Sequence, residues 1–203
     1  MTANNTRQAM VVGSFLGDSL ALGAHWIYDQ QRIVEQIGRV DRLLPPPEGS
    51  FHAGKKAGEF THYGDQTLVL LRCLAENRGF ELSRFAADWR GFMSGYRGYF
   101  DQATKGTLAG FEQGRDPAAA GSRSNDLAGA SRIAPLVFAL EEDLEELVQA
   151  AQAQTRMTHQ DPGVVESAAF FASTARAVLQ GARPVEALEQ SAQAGYQQLP
   201  ARQ

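Results

Sequence analysis

The sequence predicts an all-α fold. Apolar residues recur at three- to four-residue spacings through most of the 203 residues. No segment shows the alternation of apolar and polar residues that is typical of a half-buried strand. Glycine, proline and short polar turns separate the periodic segments, as expected at helix ends. Together these observations indicate about eight helices.

The first predicted helix spans residues 7–22 and carries two stripes. Val11, Phe15 and Ser19 form a face at the spacing of a buried helix surface, with Val12 and Leu16 beside it. The second stripe consists of small residues four apart: Gly13, Gly17 and Ala21. Glycine in a helix interior costs about 1 kcal/mol relative to alanine. This stripe therefore predicts a close neighbour, either another helix or a ligand.

The chain then becomes mostly irregular. A short helix from Gln31 to Ile37 is predicted to end at Gly38. The three prolines at 45–47 force an extended backbone, and several glycines interrupt the residues that follow. Because an irregular connection of this length is more often functional than decorative, we expect residues 39–60 to contribute to a site.

Three helical segments are predicted in the middle of the chain. The first runs from Asp65 to about Asn77, the second begins near Ser83 as N-cap, and a third covers residues 100–111. The second helix carries an apolar and aromatic stripe that we assign to the core: Phe85, Trp89, Phe92, Met93 and Tyr96.

Four further helices are predicted in the C-terminal half. The first follows the polar loop at 121–126, and the second covers residues 141–153. The third runs from Asp161 and Pro162 to Gly181, and the fourth runs from Pro184 to about Gln198. The third has the clearest start, because aspartate is a good N-cap and proline is favoured as the first helical residue.

Composition narrows the possible functions. A net charge of -4 and a pI near 5.6 argue against nucleic-acid binding. No apolar stretch reaches the roughly 20 residues of a membrane span, and none resembles a signal peptide. The single cysteine, Cys73, lies in an apolar helical run and is expected to be a reduced core thiol. These features predict a cytoplasmic protein without nucleic-acid or membrane partners. They leave the oligomeric state open.

Polar residues at predicted helix starts are the candidate sites. They lie around Asp65, Asn125 and Asp161, and Asp18 adds a fourth position. Several helix N-termini that point into one cleft would form a pocket for phosphates or for a carboxylate-bound cation. Simpler roles stay open: Asp65 as an N-cap, Asp18 in a buried pair, and His159 as a partner of backbone groups. Phosphate-binding glycine motifs, zinc helices and serine nucleophile elbows are absent from the sequence.

Four motifs, in the same order along the chain, resemble those of the ADP-ribosylglycohydrolase family. They are Gly17-Asp18-Ser19-Leu20, Gly64-Asp65-Gln66-Thr67, Ser124-Asn125 with Arg132-Ile133-Ala134-Pro135-Leu136, and Thr158-His159-Gln160-Asp161-Pro162. The resemblance implies a compact, mainly orthogonal all-α fold, with residues 1–203 forming a single domain of this type. It also implies hydrolysis of a bond between ADP-ribose and a protein side chain, with two Mg²⁺ or Mn²⁺ ions that orient the ribose and a water.

The resemblance assigns roles to individual residues. It implies Asp65 and Asp18 as catalytic residues, and metal ligation by Asp65, Gln66 and Thr67. It further implies that Asn125, His159, Asp161 and Thr67 bind the ligand. The substrate would be a small molecule or an ADP-ribosylated protein.

The chain departs from the family pattern at both metal motifs. Gly64 stands where the family has threonine, and Gln66 stands where it has a second aspartate. An amide oxygen does not offset the charge of a dication as a carboxylate does. No Gly-Asp-Thr-Asp segment follows Gly181. Either the chain is truncated at its C-terminus, or this branch has lost half of the metal site.

Three hypotheses follow, and the sequence leaves activity open. The first is a hydrolase that uses a divalent cation near Asp65. The second is a catalytically inactive member that binds an ADP-ribose-type ligand or serves a structural role. In the third, His25 or His62 replaces the metal in activating water.

Overall fold

The computed structural model describes residues 3–194, and its regular secondary structure is helical. Within this range it contains nine α-helices and two 3₁₀ turns, and the only β-type contact is an isolated bridge between Ser122 and His159. The helices are α1 (Ala3–Ala21), α2 (Gln30–Gln36), α3 (His62–Asn77), α4 (Leu82–Gly95), α5 (Gln102–Glu112), α6 (Ala134–Leu140), α7 (Leu144–Arg156), α8 (Pro162–Leu179) and α9 (Pro184–Gln193). The all-α prediction is confirmed. None of these helices is both long and apolar enough to cross a membrane.

Helix α3 begins earlier than predicted. Its N-cap is Thr61, whose Oγ1 accepts the backbone N–H of Tyr63. Asp65 therefore lies in the first turn of the helix, one turn after the cap. The alternative that Asp65 itself caps the helix is wrong, because a better-placed hydroxyl precedes it. The carboxylate of Asp65 is consequently free to face other side chains.

Helix α4 also begins before the predicted cap. Glu81 is the N-cap, since its carboxylate accepts the backbone N–H groups of Ser83 and Arg84. In contrast, the predicted start of α8 is confirmed: Asp161 accepts the N–H of Val164. The predicted extension of α9 to Gln198 lies outside the described residues.

Within the described residues no other helix packs closely against the α1 glycines, and the alternative of a ligand neighbour stays a prediction. Gly13 and Gly17 are exposed, and a Cβ on either would meet no described atom within 4 Å. Val12 and Leu16 on the same helix are 65% and 49% exposed. Helix α1 therefore packs through a narrow stripe around Val11 and presents its small residues to solvent.

The core lies where α3, α4, α6, α7 and α8 meet. Phe85, Trp89 and Met93 are buried there, which confirms the core assignment for that part of the α4 stripe. Cys73 is buried and unpaired, as predicted. Helix α8 contacts α1, α6, α7 and α9, and is the central helix of the described structure. The irregular connection at 39–60 borders the candidate site.

Candidate functional site

Asp65 faces a cavity of about 820 Å³ between the 39–60 connection and the segment that follows α4. Two donors share one of its carboxylate oxygens. Lys55 Nζ and Tyr96 Oη each donate to Asp65 Oδ2, both at 2.6 Å. Burial and the bond to Asp65 raise the pKa of Tyr96, so its hydroxyl stays protonated and remains a donor. The carboxylate is thus paired with an ammonium group that belongs to the chain itself.

Asp18 lies on the other side of the first turn of α3, at a separate cavity of about 230 Å³. Its two oxygens accept the hydroxyl of Thr61 at 2.6 Å and the backbone N–H of Thr61 at 2.8 Å. Burial raises the pKa of Asp18, and the two bonds from Thr61 act in the opposite direction. Asp18 therefore supports the N-cap of α3.

The position of Asp18 explains the glycine at position 64. A Cβ on Gly64 would lie 2.3 Å from Asp18 Oδ2 and 2.8 Å from the Cβ of Phe60. No side chain fits at this position while the Asp18 carboxylate holds Thr61. The hydroxyl that the family motif carries here is therefore incompatible with this packing.

Gln66 faces the core rather than either cavity. Its Oε1 accepts Trp89 Nε1 at 2.9 Å and Arg132 Nη1 at 2.8 Å. Arg132 is 1% exposed and also donates to Gln154 and Thr158. Burial lowers the pKa of Arg132 to about 10. Because this value is still well above neutral pH, the side chain stays charged. Because two core donors occupy the amide oxygen, the predicted metal-ligand role of Gln66 does not fit its contacts.

His159 continues the polar network that starts at Gln66. Its Nδ1 lies 2.9 Å from the hydroxyl of Thr158, and its Nε2 lies 3.1 Å from Oδ1 of Asp126. Burial alone would raise the pKa of Asp126, but hydrogen bonds from His159 and Ser124 lower it far below the usual range. His159 therefore connects the core to the loop at 121–126 and has no exposed face.

The other predicted ligand-binding residues lie apart from Asp65. Thr67 donates its hydroxyl to the carbonyl of Tyr63 at 2.9 Å and lines the cavity of Asp18. Asn125 is exposed on its loop. Asp161 serves as the N-cap of α8. The predicted site residues thus divide between two cavities, the core, an exposed loop and a helix cap, and their assigned roles remain predictions.

Three histidines form a cluster, and the sequence pointed only to His25 and His62 among them. His25, His52 and His62 each offer a ligand atom within 4.8 Å of the others. Nε2 of His52 lies 2.9 Å from Nδ1 of His62. Oδ2 of Asp101 lies 3.3 Å from Nε2 of His62. Within the described residues, no other group of three carboxylates, histidines or cysteines gathers its ligand atoms in this way.

Sequence reasoning missed two residues that shape the cavity. Tyr96 was assigned to the core because it continues the α4 stripe, yet it follows the last turn of α4 and reaches Asp65 through its hydroxyl. His52 lies in a glycine-rich connection without periodicity, where no pattern distinguishes it from a surface residue. Lys55 lies in the same connection, and nothing in the sequence pairs it with Asp65.

Comparison with known proteins identifies relatives of this chain. The sequence model of a family described as ADP-ribosylglycohydrolase matches residues 3–202. Crystallin J1A and crystallin J1B of Tripedalia cystophora are 33% identical over 88 residues and 35% identical over 83 residues. These matches cover 41% and 38% of this chain, and 26% and 24% of the relatives. The aligned segments thus span about a quarter of the curated relatives.

A solved structure shares the architecture. It is described as an ADP-ribosylglycohydrolase-related protein complex, and it superposes with a TM-score of 0.76 at 24% sequence identity. The superposition covers 94% of this chain and 62% of that one. At 24% sequence identity, this structural similarity shows that the two chains share a fold.

Proposed function

The chain belongs to the ADP-ribosylglycohydrolase family, and we propose that its cavity at Asp65 binds an ADP-ribosyl group without a pair of divalent cations. The observation that carries this proposal is the ion pair between Lys55 and Asp65. Their side chains are only 18% and 17% exposed, so the pair is partly shielded from water. The ammonium group of Lys55 provides the positive charge beside Asp65 that a metal ion would otherwise supply.

The residues at the cavity do not fit a two-cation centre. Mg²⁺ requires near-octahedral oxygen ligation, usually with help from carboxylates. Here Oδ2 of Asp65 already accepts two donors, Gln66 faces the core, and Asp18 is held by Thr61 on another cavity. The expected Mg²⁺ or Mn²⁺ is therefore not part of the proposed function, and no chemical step is assigned to it.

The chemistry of the cavity suits an anionic nucleotide. Its volume of about 820 Å³ falls within the roughly 300–1,000 Å³ that is usual for small-molecule sites. Phe51 is 53% exposed and offers a face for adenine, with Tyr99 beside it at 5.0 Å between ring centroids. Arg97 and Lys105 also line the cavity and can balance a diphosphate.

Hydrolysis of an ADP-ribosyl bond is the second candidate, and family membership favours it. In this alternative, a ligand diphosphate would draw Lys55 away from Asp65, which would free the carboxylate to act on the glycosidic bond. Asp65 would then take a proton from a water that attacks the anomeric carbon, while the bond to the substrate protein's side chain breaks and that side chain takes up the proton. This route uses Asp65 of the chain and no metal ion.

Calorimetry with ADP-ribose tests the binding proposal. We expect the same affinity in excess chelator and in Mg²⁺. Lys105→Ala should weaken binding about tenfold, a change of about 1.4 kcal/mol. Lys56→Ala is the control, because Lys56 is an exposed lysine that does not line the cavity. Binding that requires Mg²⁺, or no binding in either buffer, would contradict the proposal.

Release of ADP-ribose from an ADP-ribosylated protein separates the two candidates. Turnover that survives chelation and disappears in Asp65→Asn would establish metal-independent hydrolysis. Binding without turnover would establish the non-catalytic role. The controls are the same variant assayed for ADP-ribose binding and a circular dichroism spectrum to confirm that it is folded.

A further inference from the structure

Three of the four histidines of the chain converge beside Trp26. Trp26 adopts a φ of 59°, which is uncommon for a bulky residue. Its ring contacts the rings of His25 and His62 at centroid distances of 5.1 Å each. The unfavourable backbone angle of Trp26 thus occurs where its indole ring packs against the histidines. We propose that His25, His52 and His62 bind a divalent ion of the zinc class, at a site separate from the carboxylate of Asp65.

The spacing of the nitrogens is close to that of a metal site. The three ligand atoms lie within 4.8 Å of one another, and the His52 and His62 nitrogens are 2.9 Å apart. Nitrogens around a tetrahedral Zn²⁺, each bound at about 2.0–2.1 Å, are separated by about 3.3–3.4 Å. Small side-chain shifts would therefore convert the present contact into coordination.

One unsatisfied nitrogen supports this assignment. His52 and His62 are 3% and 0% exposed. Nε2 of His25 is buried without a hydrogen-bond partner among the described residues, and such an atom costs about 1–3 kcal/mol. A metal ion bound to this nitrogen would remove that cost, and the other two ligand atoms would be Nε2 of His52 and Nδ1 of His62, which face each other.

Asp101 is placed to orient one of the ligands. Its Oδ2 lies 3.3 Å from Nε2 of His62, at ion-pair distance. Its Oδ1 accepts the backbone N–H of Thr104 at 2.6 Å, which holds the carboxylate at the start of α5. A carboxylate at one imidazole nitrogen favours the proton there and leaves the other nitrogen for a metal. That other nitrogen is Nδ1, the atom that faces His52.

The ligand chemistry selects the class of ion. Imidazole nitrogens suit Zn²⁺, Cu²⁺, Ni²⁺ and Fe²⁺, whereas Mg²⁺ and Mn²⁺ prefer oxygen. Three protein ligands leave a fourth position for water or a ligand from the cavity that His52 lines.

Titration of the tag-free protein with Co²⁺ and Zn²⁺ tests the proposal. We expect one equivalent of Zn²⁺ to bind, and Co²⁺ to give the visible absorption of a tetrahedral nitrogen-rich site. His25→Asn and His52→Asn should each weaken Zn²⁺ binding at least 100-fold. Asp101→Asn should weaken it about 10-fold, the lower end of the range for residues that orient a ligand.

The fourth histidine provides the matched control. His159→Asn also removes a buried histidine, but its partners are Thr158 and Asp126. It should leave Zn²⁺ binding unchanged. Wild-type protein that binds no Zn²⁺, or gives only the weak spectrum of octahedral Co²⁺, would overturn the proposal even if a cluster variant fails to fold. Equal binding by His52→Asn with a native circular dichroism spectrum would overturn it as well.

Discussion

The guanidinium of Arg132 joins segments that are far apart in the sequence. It donates to Gln66, Gln154 and Thr158 at a position that is 1% exposed. Arg132→Ala would remove the charged donor from these three buried acceptors. We expect the free energy of unfolding to fall by about 3–5 kcal/mol, measured by urea denaturation. Arg123→Ala, on an exposed arginine of the nearby loop, should change it by no more than about 0.5 kcal/mol. A loss at Arg132 as small as this control would show that the network contributes little.

The two depressed histidine pKa values predict a pH dependence of stability. Burial lowers the pKa of His25 to about 4 and of His52 to about 3, whereas both titrate near about 6.5 in the unfolded chain. Between these values the unfolded state binds more protons than the folded state. The free energy of unfolding of the metal-free protein should therefore fall as the pH is lowered below about 6.5.

His52→Asn isolates one of these protons. Between about pH 6.5 and pH 5, the slope of unfolding free energy against pH should be smaller in this variant by up to about 1.4 kcal/mol per pH unit. Asp18 has a raised pKa and acts in the opposite direction, but it is common to both proteins and cancels in the comparison. Equal slopes for the two proteins would mean that His52 binds a proton as readily when folded as when unfolded.

At the scale of single elements, local signals predicted α8 better than α3 or α4. Asp161 and Pro162 form a start that depends only on neighbouring residues, and Gly181 ends the helix with a φ of +103°. In α3 and α4 two or more candidate caps compete within a few residues. Which of them forms the cap depends on contacts from elsewhere, as when Asp18 holds Thr61 from 43 residues away. Such contacts carry no local pattern.

Two glycines in helices predict opposite effects of the same substitution. Gly64→Ala would place a Cβ 2.3 Å from Asp18 Oδ2, so Asp18 would have to release Thr61. We expect it to lower the free energy of unfolding by about 1–3 kcal/mol, as overpacking usually does. Gly13→Ala, at an exposed position of α1 with no described atom within 4 Å, should raise it by about 0.5–1 kcal/mol. Chemical denaturation of both variants tests the pair, and stabilisation by Gly64→Ala would refute the account of this motif.

At the scale of the whole molecule, the motifs predicted the neighbourhood of the site but not its geometry. Asp65 and Asp18 come from motifs that resemble one family, yet they open on different cavities. Neighbouring residues on a helix point in different directions, which is why Gln66 reaches the core while Asp65 faces a cavity. Lys55 and His52 arrive from the irregular connection, where no periodicity fixes the direction of a side chain.

Helix α8 organises the molecule because small residues let its neighbours approach. Ala168, Ala169 and Ala172 are all 0% exposed, and α8 contacts α1, α6, α7 and α9. Ala168→Leu would add three carbon atoms where no space remains, so we expect the free energy of unfolding to fall by about 1–3 kcal/mol. Ala9→Leu, on the exposed face of α1, is the control and should change it by less than about 0.5 kcal/mol. Both variants are measured by denaturant unfolding. Equal changes in their free energy of unfolding would show that the interior around α8 accommodates a larger side chain. The close approach of its neighbours would then not depend on alanine.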